Sequence, residues 1–224
     1  MARTLYIIAT PIGNLEDITL RALGILKEVD LILVEDTRVT KKLLMHYDID
    51  KHTLSYHQHS TEKKKLEILR RLVKGENIAL ASDAGTPGIS DPGNELIDYL
   101  LNKEPTIRIV PVPGPAAITS ALSVSGFKVS KFLFLGFLPK KKRKKLFGWI
   151  KKGKIAFAFY ESPKRILKTL DFLEEQLGED RRILIARELT KLHETLYRGK
   201  LSEVRAQLEK KKVRGEIVVV VEEK

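Results

Sequence analysis

A loop rich in glycine and proline follows the apolar run 78–81 and extends from Ser82 to Gly93. It reads Ser-Asp-Ala-Gly-Thr-Pro-Gly-Ile-Ser-Asp-Pro-Gly and precedes a helical pattern at residues 95–101. Glycine and proline hold the backbone in conformations that let a ligand approach closely, and Asp83 adds a carboxylate beside it. Ligands of open α/β sheets bind at the carboxyl ends of strands, so the pattern indicates a binding site; a tight surface turn is the alternative.

Charged residues follow other predicted strands in the same way. Glu35-Asp36-Thr37-Arg38 follows the second strand, where the acids either face a substrate or cap the next helix. Tyr160-Glu161-Ser162-Pro163 and Ala186-Arg187-Glu188 follow two later strands. Because such segments recur at strand ends in both halves of the chain, they predict one shared crevice.

The common nucleotide and metal sites are not indicated. The sequence contains neither the Gly-x-Gly-x-x-Gly fingerprint nor the Gly-x-x-x-x-Gly-Lys-Ser/Thr phosphate loop. It contains no cysteine, which excludes disulfides, thiolate metal sites and cysteine nucleophiles. His57 and His59 have no third ligand nearby, so we interpret them as surface histidines, available for hydrogen bonding or RNA contact, and expect no metal.

The charge of the chain suggests a polyanionic partner. Lys and Arg total 41 against 29 Asp and Glu, a formal net charge of +12. Residues 140–145 are six consecutive cations, which favours nucleic-acid binding over a solvated linker. A second group, residues 210–212 with Arg214, ends a predicted helix, where cations are favourable in any case. Abundant surface ion pairs of a heat-adapted protein are the alternative explanation of the composition.

Apolar runs and helical patterns alternate along the chain, which predicts α/β architecture. Pro111-Val112-Pro113-Gly114-Pro115 interrupts the pattern, so we expect two domains, 1–112 and 113–224, with a cleft between them. The first half is expected to be a mostly parallel sheet, with strands at 5–9, 31–35, 53–56, 78–82 and 107–112 and helices at 19–27, 39–46, 61–73 and 95–101. In the second half we expect strands at 132–136, 155–160, 183–186 and 217–222, helices at 116–124, 163–176 and 201–210, and a further strand within 190–200.

The amino terminus leads directly into the first predicted strand and lacks the features of a signal peptide. No apolar run approaches the roughly 20 residues that span a bilayer. We therefore expect a cytoplasmic protein.

Taken together, these segments resemble the tetrapyrrole-methylase superfamily of S-adenosylmethionine-dependent methyltransferases, and within it the ribosomal-RNA branch. The resemblance runs in order across nearly the whole chain, and the loop from Ser82 to Gly93 is its most specific part. The matching segments are Thr10-Pro11-Ile12-Gly13-Asn14-Leu15, Glu35-Asp36-Thr37-Arg38, 82–93, 112–117, Tyr160-Glu161-Ser162-Pro163 and Arg187-Glu188-Leu189-Thr190-Lys191.

The resemblance implies a two-domain α/β fold of class III, with S-adenosylmethionine in the cleft between the domains, and a homodimer. It implies methyl transfer to the ribose 2′-hydroxyl of a cytidine in the decoding region of small-subunit (16S) rRNA. Similar proteins often carry a further small carboxyl-terminal domain, whereas this sequence ends at Lys224. RNA docking is then expected to depend more on residues 140–145 and on the dimer surface.

The resemblance also assigns residues to roles. Four acids are candidate bases for the hydroxyl proton: Glu35, Asp36, Glu161 and Glu188. The cofactor is assigned to Pro11, Asp83, Ala84, Gly85, Thr86, Pro87, Ile89, Ala116, Ala117, Tyr160, Glu161, Ala186, Arg187 and Glu216. RNA is assigned to Arg38, Lys140, Lys141, Lys142, Arg143, Lys144, Lys145 and Arg187.

Two other functions are compatible with the sequence. One is a methyltransferase of the same fold that acts on a tetrapyrrole or a protein, which the run of cations disfavours. The other is a basic RNA-binding protein without catalysis, which has no need for loops of this kind.

Overall fold

Short, almost uninterrupted apolar runs form the strands of the first half of the chain. All residues of the strands Leu31–Val34 and Ile78–Ala81 are buried, as expected for central strands covered on both faces. The sheet has the order β3-β2-β4-β1-β5, and each neighbouring pair is parallel, which confirms the predicted α/β fold with a parallel sheet. Its strands are β1 (Thr4–Ile8), β2 (Leu31–Val34), β3 (Thr53–Ser55), β4 (Ile78–Ala81) and β5 (Arg108–Val112).

Four helices cover this sheet, two on each face. On one face, buried leucines of α1 and α2 pack with Ile8, Ile32 and Ala79. On the other face, buried leucines of α3 and α4 pack with Leu5, Leu33 and Leu80. Residues of β2 and β4 alternate between the two clusters because side chains of a strand point to opposite faces in turn. The helices are α1 (Leu20–Glu28), α2 (Thr37–His46), α3 (Glu62–Val73) and α4 (Asn94–Lys103), with a short 3₁₀ helix at Leu15–Asp17.

The second half of the chain forms a mixed sheet in the order β6-β7-β10-β8-β9. β6 and β7 are parallel, and the other neighbours are antiparallel. The expected strand within 190–200 is confirmed as β9, which begins at Thr195 after a turn. The strands are β6 (Phe132–Phe137), β7 (Ala156–Glu161), β8 (Arg182–Arg187), β9 (Thr195–Lys200) and β10 (Ile217–Val221).

One face of this sheet carries a large apolar cluster to which three helices contribute. On the opposite face, α5 (Ala117–Ser123) packs against β10, whose five residues are all buried. The three helices of the cluster are α6 (Arg143–Gly153), α7 (Ile166–Leu177) and α8 (Leu201–Glu209).

Helix α6 corrects the sequence analysis, which treated residues 140–145 only as a run of cations. The helix begins at Arg143, inside that run, and buries Phe147 and Ile150 in the apolar cluster. An apolar pair spaced three residues apart is typical of a helix that buries one face. The neighbouring lysines had obscured this spacing.

The structure is a computed structural model, which describes residues 3–139, 141 and 143–223. It divides into two units, Met1–Ala116 and Ala117–Lys224. Among the described residues, no helix is both long enough and apolar enough to cross a bilayer.

Candidate functional site

Parallel pairing brings the loops that follow β1, β2, β4 and β5 to the same edge of the first sheet. β4 lies between β2 and β1, so the Gly/Pro loop from Ser82 has a neighbouring loop on either side. Crevices at this edge are where open α/β sheets bind ligands. The loops that carry the predicted cofactor residues of this unit therefore lie at one edge of the sheet.

Backbone hydrogen bonds tie the loop after β4 to the loop after β1. The N–H of Thr10 donates to the carbonyl oxygen of Gly85 at 2.9 Å, and the N–H of Gly85 donates to that of Thr10 at 3.0 Å. The buried hydroxyl of Thr10 also donates to the carbonyl oxygen of Ser82 at 3.0 Å. The hydroxyl of Ser82 donates to the carbonyl oxygen of Gly85 at 3.1 Å. These bonds fix the loop before any ligand arrives.

Glycine is required at two points of this loop. Gly85 has φ +88° and Gly88 has φ +84°, both in the left-handed region that favours glycine. A Cβ on Gly88 would lie 2.6 Å from Oδ1 of Asn94, whose side chain donates to the carbonyl oxygen of Gly88 at 2.8 Å. A Cβ on Gly85 would have room, at 3.5 Å from Cγ2 of Ile12 and 3.8 Å from the carbonyl oxygen of Pro115. Gly85 thus leaves a gap between three loops that a Cβ would fill at ordinary contact distances.

The loop after β5 packs closely against the end of β1. A Cβ on Gly114 would lie 3.0 Å from the Cβ of Ala9 and 3.3 Å from its carbonyl oxygen. The hydroxyl of Thr86 donates to the carbonyl oxygen of Pro115 at 3.4 Å, which joins the loops after β4 and β5. Of the other predicted cofactor residues in this unit, Pro11 and Pro87 are buried, Ala84 and Ala116 are half-buried, and Ile89 is exposed.

Three carboxylates lie near one another at the same edge, those of Glu35, Asp36 and Asp83. Oδ1 of Asp83 accepts a hydrogen bond of 3.0 Å from the N–H of Asp36. The guanidinium of Arg38 lies 2.6 Å from Oδ2 of Asp36, and the Arg38 side chain is 87% exposed. The Asp36 side chain also accepts from the N–H of Arg38 and so caps α2. Asp36 is therefore used as a helix cap, the alternative that the sequence left open, while Arg38 lies at the surface.

The surroundings of these three acids shift their pKa values in different directions. Hydrogen bonds from the side chain and backbone of Arg38 lower the pKa of Asp36 to about 2. Burial raises the pKa of Glu35, and the charge of Asp83 raises it further. Burial also raises the pKa of Asp83, against the opposing hydrogen bond from the Asp36 N–H. Glu35 is accordingly a stronger base than Asp36, and it faces the carboxylates of Asp83 and Asp36 as well as the imidazole of His57, which opposes the rise.

In the second unit, Glu161 lies at the end of β7 and is enclosed. The residue is 2% exposed. Its Oε2 accepts 2.7 Å from the hydroxyl of Thr169, and its Oε1 accepts 2.8 Å from the N–H of Ser162. Nε of Arg165 lies 3.2 Å from Oε1, and the same guanidinium donates to the carbonyl oxygen of Leu138 at 2.7 Å. Both carboxylate oxygens thus have internal partners, which does not favour Glu161 as a base that contacts substrate.

Arg187, at the end of β8, also has internal partners. Its guanidinium donates to the carbonyl oxygens of Arg214 at 3.1 Å and of His193 at 2.7 Å. It also donates to the hydroxyl of Thr195 at 3.2 Å. The expectation that Arg187 binds RNA phosphate is not favoured by this geometry, because the guanidinium holds two loops of its own unit together.

Glu188 follows directly in a strained turn. Glu188 has φ +54° and Thr190 has φ +64°, which are unfavourable for residues other than glycine. A Cβ on Gly215 would overlap the Glu188 side chain, so only glycine leaves space for that carboxylate. Oε1 of Glu188 accepts 2.8 Å from the N–H of Glu216 and 2.9 Å from Nζ of Lys191.

These contacts weaken Glu188 as a base. Burial alone would raise its pKa, but the hydrogen bonds from Glu216 and Lys191 and the nearby cations outweigh it, so the net pKa is lowered. Burial by itself would lower the pKa of Lys191. The bonds of Lys191 to Glu188 and Glu216 outweigh this effect, so the pKa of Lys191 is raised overall. Glu216 is exposed and pairs with Nζ of Lys191 at 3.0 Å.

The remaining predicted residues of this unit differ in accessibility. Ala186 is 1% exposed, so its side chain belongs to the core. Tyr160 is half-buried, with its ring in edge contact with Phe134 and Phe137, at centroid distances of 5.1 and 5.5 Å. Ala117 is half-buried at the start of α5.

In the run of cations at residues 140–145, some side chains bind partners within the second unit. Nε of Arg143 donates to the carbonyl oxygen of Pro139 at 2.8 Å, and its guanidinium lies 5.7 Å from the centre of the Phe172 ring. Lys144 pairs with Glu175 at 3.4 Å, with both side chains largely exposed. Lys141 and Lys145 are exposed, whereas Lys140 and Lys142 lie outside the described residues. The described lysines of the segment, Lys141, Lys144 and Lys145, therefore still face solvent.

The histidine loop after β3 holds itself together. The N–H of His59 donates to Nδ1 of His57 at 3.2 Å, and the N–H of His57 donates to the hydroxyl of Ser60 at 2.9 Å. Within the described parts of the chain, no three His, Asp or Glu residues are arranged to hold a metal ion.

Sequence reasoning missed several residues that build these sites. Arg165 and Thr169 enclose Glu161, and Thr10 ties the loop after β4. Arg165 and Thr169 stand four and eight residues after Glu161, a helical spacing that indicates one shared face. No comparable local pattern connects Thr10 with Gly85, because the two are 75 residues apart.

Comparison with known proteins agrees with this arrangement. The family model described as Tetrapyrrole (Corrin/Porphyrin) Methylases matches residues 4–205. The chain belongs to this family. A relative from Thermotoga maritima named ribosomal RNA small subunit methyltransferase I is 51% identical over 218 residues, 97% of each chain. A relative of the same name from Bacillus subtilis is 46% identical over 220 residues, 97% of this chain and 74% of the relative.

Solved structures share the fold at low sequence identity. Cobalt precorrin-4 methyltransferase, a cobalamin biosynthetic enzyme, has a TM-score of 0.74 at 19% identity and covers 98% of this chain and 95% of its own. Diphthine synthase has a TM-score of 0.74 at 12% identity and covers 98% of this chain and 90% of its own. These two likenesses show the fold alone.

The family assignment makes this chain an S-adenosylmethionine-dependent methyltransferase. The loops of the first unit fit such a cofactor. Asp83 is a half-buried acceptor whose charge is poorly solvated, so a hydroxyl or ammonium group of a ligand would stabilise it. Gly85 leaves space that a side chain would fill. Both observations suit a polar ligand held close to the backbone.

Glu161→Gln tests whether this buried carboxylate is structural. We expect the substitution to lower the free energy of unfolding by about 3 kcal/mol, because it leaves Arg165 half-buried without its counter-charge. Urea denaturation followed by circular dichroism measures the loss. Glu175→Gln is the matched control: its pair with Lys144 is exposed, so we expect a loss below about 1 kcal/mol. Unchanged stability together with lost turnover would instead make Glu161 a catalytic group.

Proposed function

We propose that the chain transfers a methyl group from S-adenosylmethionine to the ribose 2′-hydroxyl of a cytidine in small-subunit ribosomal RNA. The observation that carries the proposal is the 51% identity, over 97% of both chains, with a relative named ribosomal RNA small subunit methyltransferase I. The formal net charge of +12 and the exposed cations of α6 are what an RNA substrate requires. A ribosomal RNA substrate also implies action in the cytoplasm.

The chain has two tasks in such a reaction: to hold the reacting groups in line and to accept the hydroxyl proton. Bound S-adenosylmethionine supplies a sulfonium methyl group that is already activated. The loop from Ser82 to Gly93, fixed through Thr10, is preorganised to hold it, and Asp83 is the acceptor for its polar groups. Oxygen–methyl bond formation breaks the sulfur–methyl bond, and the proton passes to a base. The products are methylated RNA, S-adenosylhomocysteine and a protonated carboxyl group.

Among the four candidate bases, we propose Glu35. Its pKa is raised and it has no cation fixed to its carboxylate in a described ion pair, in contrast to Asp36, Glu161 and Glu188. Its position after β2, beside the loop that carries Asp83, places it at the proposed cofactor edge. Five residues of the second unit are assigned to the same cofactor only by the family resemblance, and their assignment stays a prediction: Tyr160, Glu161, Ala186, Arg187 and Glu216. A homodimer is also a prediction from the resemblance. Light scattering on the purified protein would test it.

Chemical mapping of the labelled product tests the proposed reaction. Small-subunit RNA and assembled subunits are incubated with the protein and methyl-labelled S-adenosylmethionine, and the RNA is hydrolysed with alkali. A 2′-O-methyl group blocks cleavage at its own nucleotide, so we expect the label in an alkali-resistant dinucleotide whose first residue is cytidine. Label released in single nucleotides would indicate base methylation. No incorporation into RNA, with transfer to a tetrapyrrole or a protein, would contradict the proposal.

Gly85→Ala tests the cofactor loop. We expect S-adenosylmethionine affinity, measured by calorimetry, to fall at least about tenfold, equivalent to roughly 1.4 kcal/mol. The added methyl group occupies the space between Ile12 and Pro115 and also strains a backbone with φ +88°. Gly75→Ala is the matched control, because it has φ +98° and nothing within 4 Å of the added Cβ. Equal affinities of the two variants would exclude the loop as the cofactor site.

Glu35→Gln tests the proposed base. We expect kcat to fall by about 100-fold or more while S-adenosylmethionine affinity is retained. Since burial and the charge of Asp83 raise the pKa of Glu35 above the ordinary value of a glutamate, the wild-type rate should fall as the pH drops through this raised pKa, and this acid limb should disappear in the variant. Glu28→Gln, an exposed glutamate at the end of α1, is the control. Full turnover by Glu35→Gln would contradict the assignment of Glu35 as the base.

A further inference from the structure

Helix α2 presents a cationic surface of which the family resemblance assigns only Arg38 to RNA. The helix contains no acid, and Thr40, Leu43 and Leu44 form its buried side. Arg38, Lys41 and Lys42 are exposed on the rest of its surface. Arg38 and Lys42 are four residues apart, about 6 Å along the helix axis, and lie one turn from each other.

Lys41 and Lys42 of α2 differ from three cations of α3, the next helix in the chain, which are held in ion pairs. In α3, Lys64 pairs with Glu67 at 3.3 Å, Lys65 with Glu95 at 3.1 Å and Arg71 with Glu76 at 3.1 Å. In the described parts of the chain, Lys41 and Lys42 take part in no ion pair. Two adjacent unpaired cations repel each other, so they are most stable when a polyanion neutralises them.

The position of α2 connects this surface with the proposed reaction edge. The helix starts at Thr37, capped by Asp36, and Asp36 donates through its N–H to Asp83 of the cofactor loop. The row of cations therefore begins at the edge where Glu35 and Asp83 lie and leads away from it.

The histidine loop supplies a further donor beside the start of α2. β3 pairs with β2, and the N–H of Tyr56 donates to the carbonyl oxygen of Val34 at 2.8 Å, so His57 follows next to Glu35. Nδ1 of His57 accepts the N–H of His59 at 3.2 Å, which places the proton of a neutral ring on Nε2. His57 is exposed and thus offers an N–H donor to a ligand at this edge.

We propose that Arg38, Lys41 and Lys42 of α2, together with His57, form a track that binds the phosphate backbone of the RNA substrate. The inference rests on the proposed function and adds to it a substrate-binding surface on the first unit. The track holds the strand on the side of the reaction edge from which a ribose is delivered to Glu35.

An acidic protein is the other partner that such charges would attract, but the exposed side of α2 lacks the large aromatic anchors of a protein interface. Hot spots in protein interfaces are enriched in Trp, Tyr and Arg, and of these α2 contains only Arg38. Its exposed apolar residues are Val39, 41% exposed, and Met45, 67% exposed. A continuous phosphate backbone matches a row of cations better.

The double variant Lys41→Gln/Lys42→Gln tests the track. RNA affinity is measured over a series of salt concentrations with a fragment of small-subunit RNA. We expect weaker binding at every salt concentration and a log–log salt slope that is shallower by about 2, one for each lost phosphate contact. Affinity for S-adenosylmethionine should stay at the wild-type value, because neither lysine contacts the cofactor loop in the described structure.

Lys63→Gln/Arg70→Gln is the matched control, with the same change in charge at two exposed positions of α3. A general effect of net charge would change both slopes equally and overturn the track, as would wild-type RNA binding by the α2 variant. Undiminished RNA binding combined with loss of an acidic protein partner would assign the surface to that partner instead. Methylation of the RNA by the wild-type protein is measured in parallel, so a failure of the proposed function is recognised separately.

Discussion

Parallel pairing of β4 with β1 and β2 is the constraint on which the candidate site of the first unit depends. Because the strands run in the same direction, the loops that follow them meet at a single edge. Segments far apart in the chain, such as Thr10 and Gly85, can then form direct backbone hydrogen bonds. The hydrophobic runs that bury these strands therefore also determine where the polar loops are placed.

The same burial sets the chemistry of the acids at that edge. Glu35 and Asp83 lie partly inside the protein, where their charges lose solvation and their pKa values rise. Asp36, one residue further along the chain, accepts hydrogen bonds from the side chain and backbone of Arg38, so its pKa falls to about 2. Neighbouring acids thus acquire different roles, one as a helix cap and the others as groups available to a ligand.

The second unit shows that a charged residue at a strand end is not by itself a functional residue. Glu161 is buried with Arg165 and Thr169, and Arg187 holds the carbonyl oxygens of two loops. A buried charge without such partners would be unstable, so these contacts are needed for folding. The bonds of Arg187 to Arg214 and His193 also flank the turn in which Glu188 and Thr190 hold their strained conformation.

The sequence by itself determined the α/β class, the parallel sheet of the first unit and the loop from Ser82 to Gly93, since these depend on local periodicity and on glycine and proline. The tertiary structure decided which charges are available. Helix α6 was missed because lysines surround its apolar pair, and the internal partners of Glu161 and Arg187 come from other elements. Hydrogen-bond partners and solvation depend on contacts between distant residues, and no local pattern contains them.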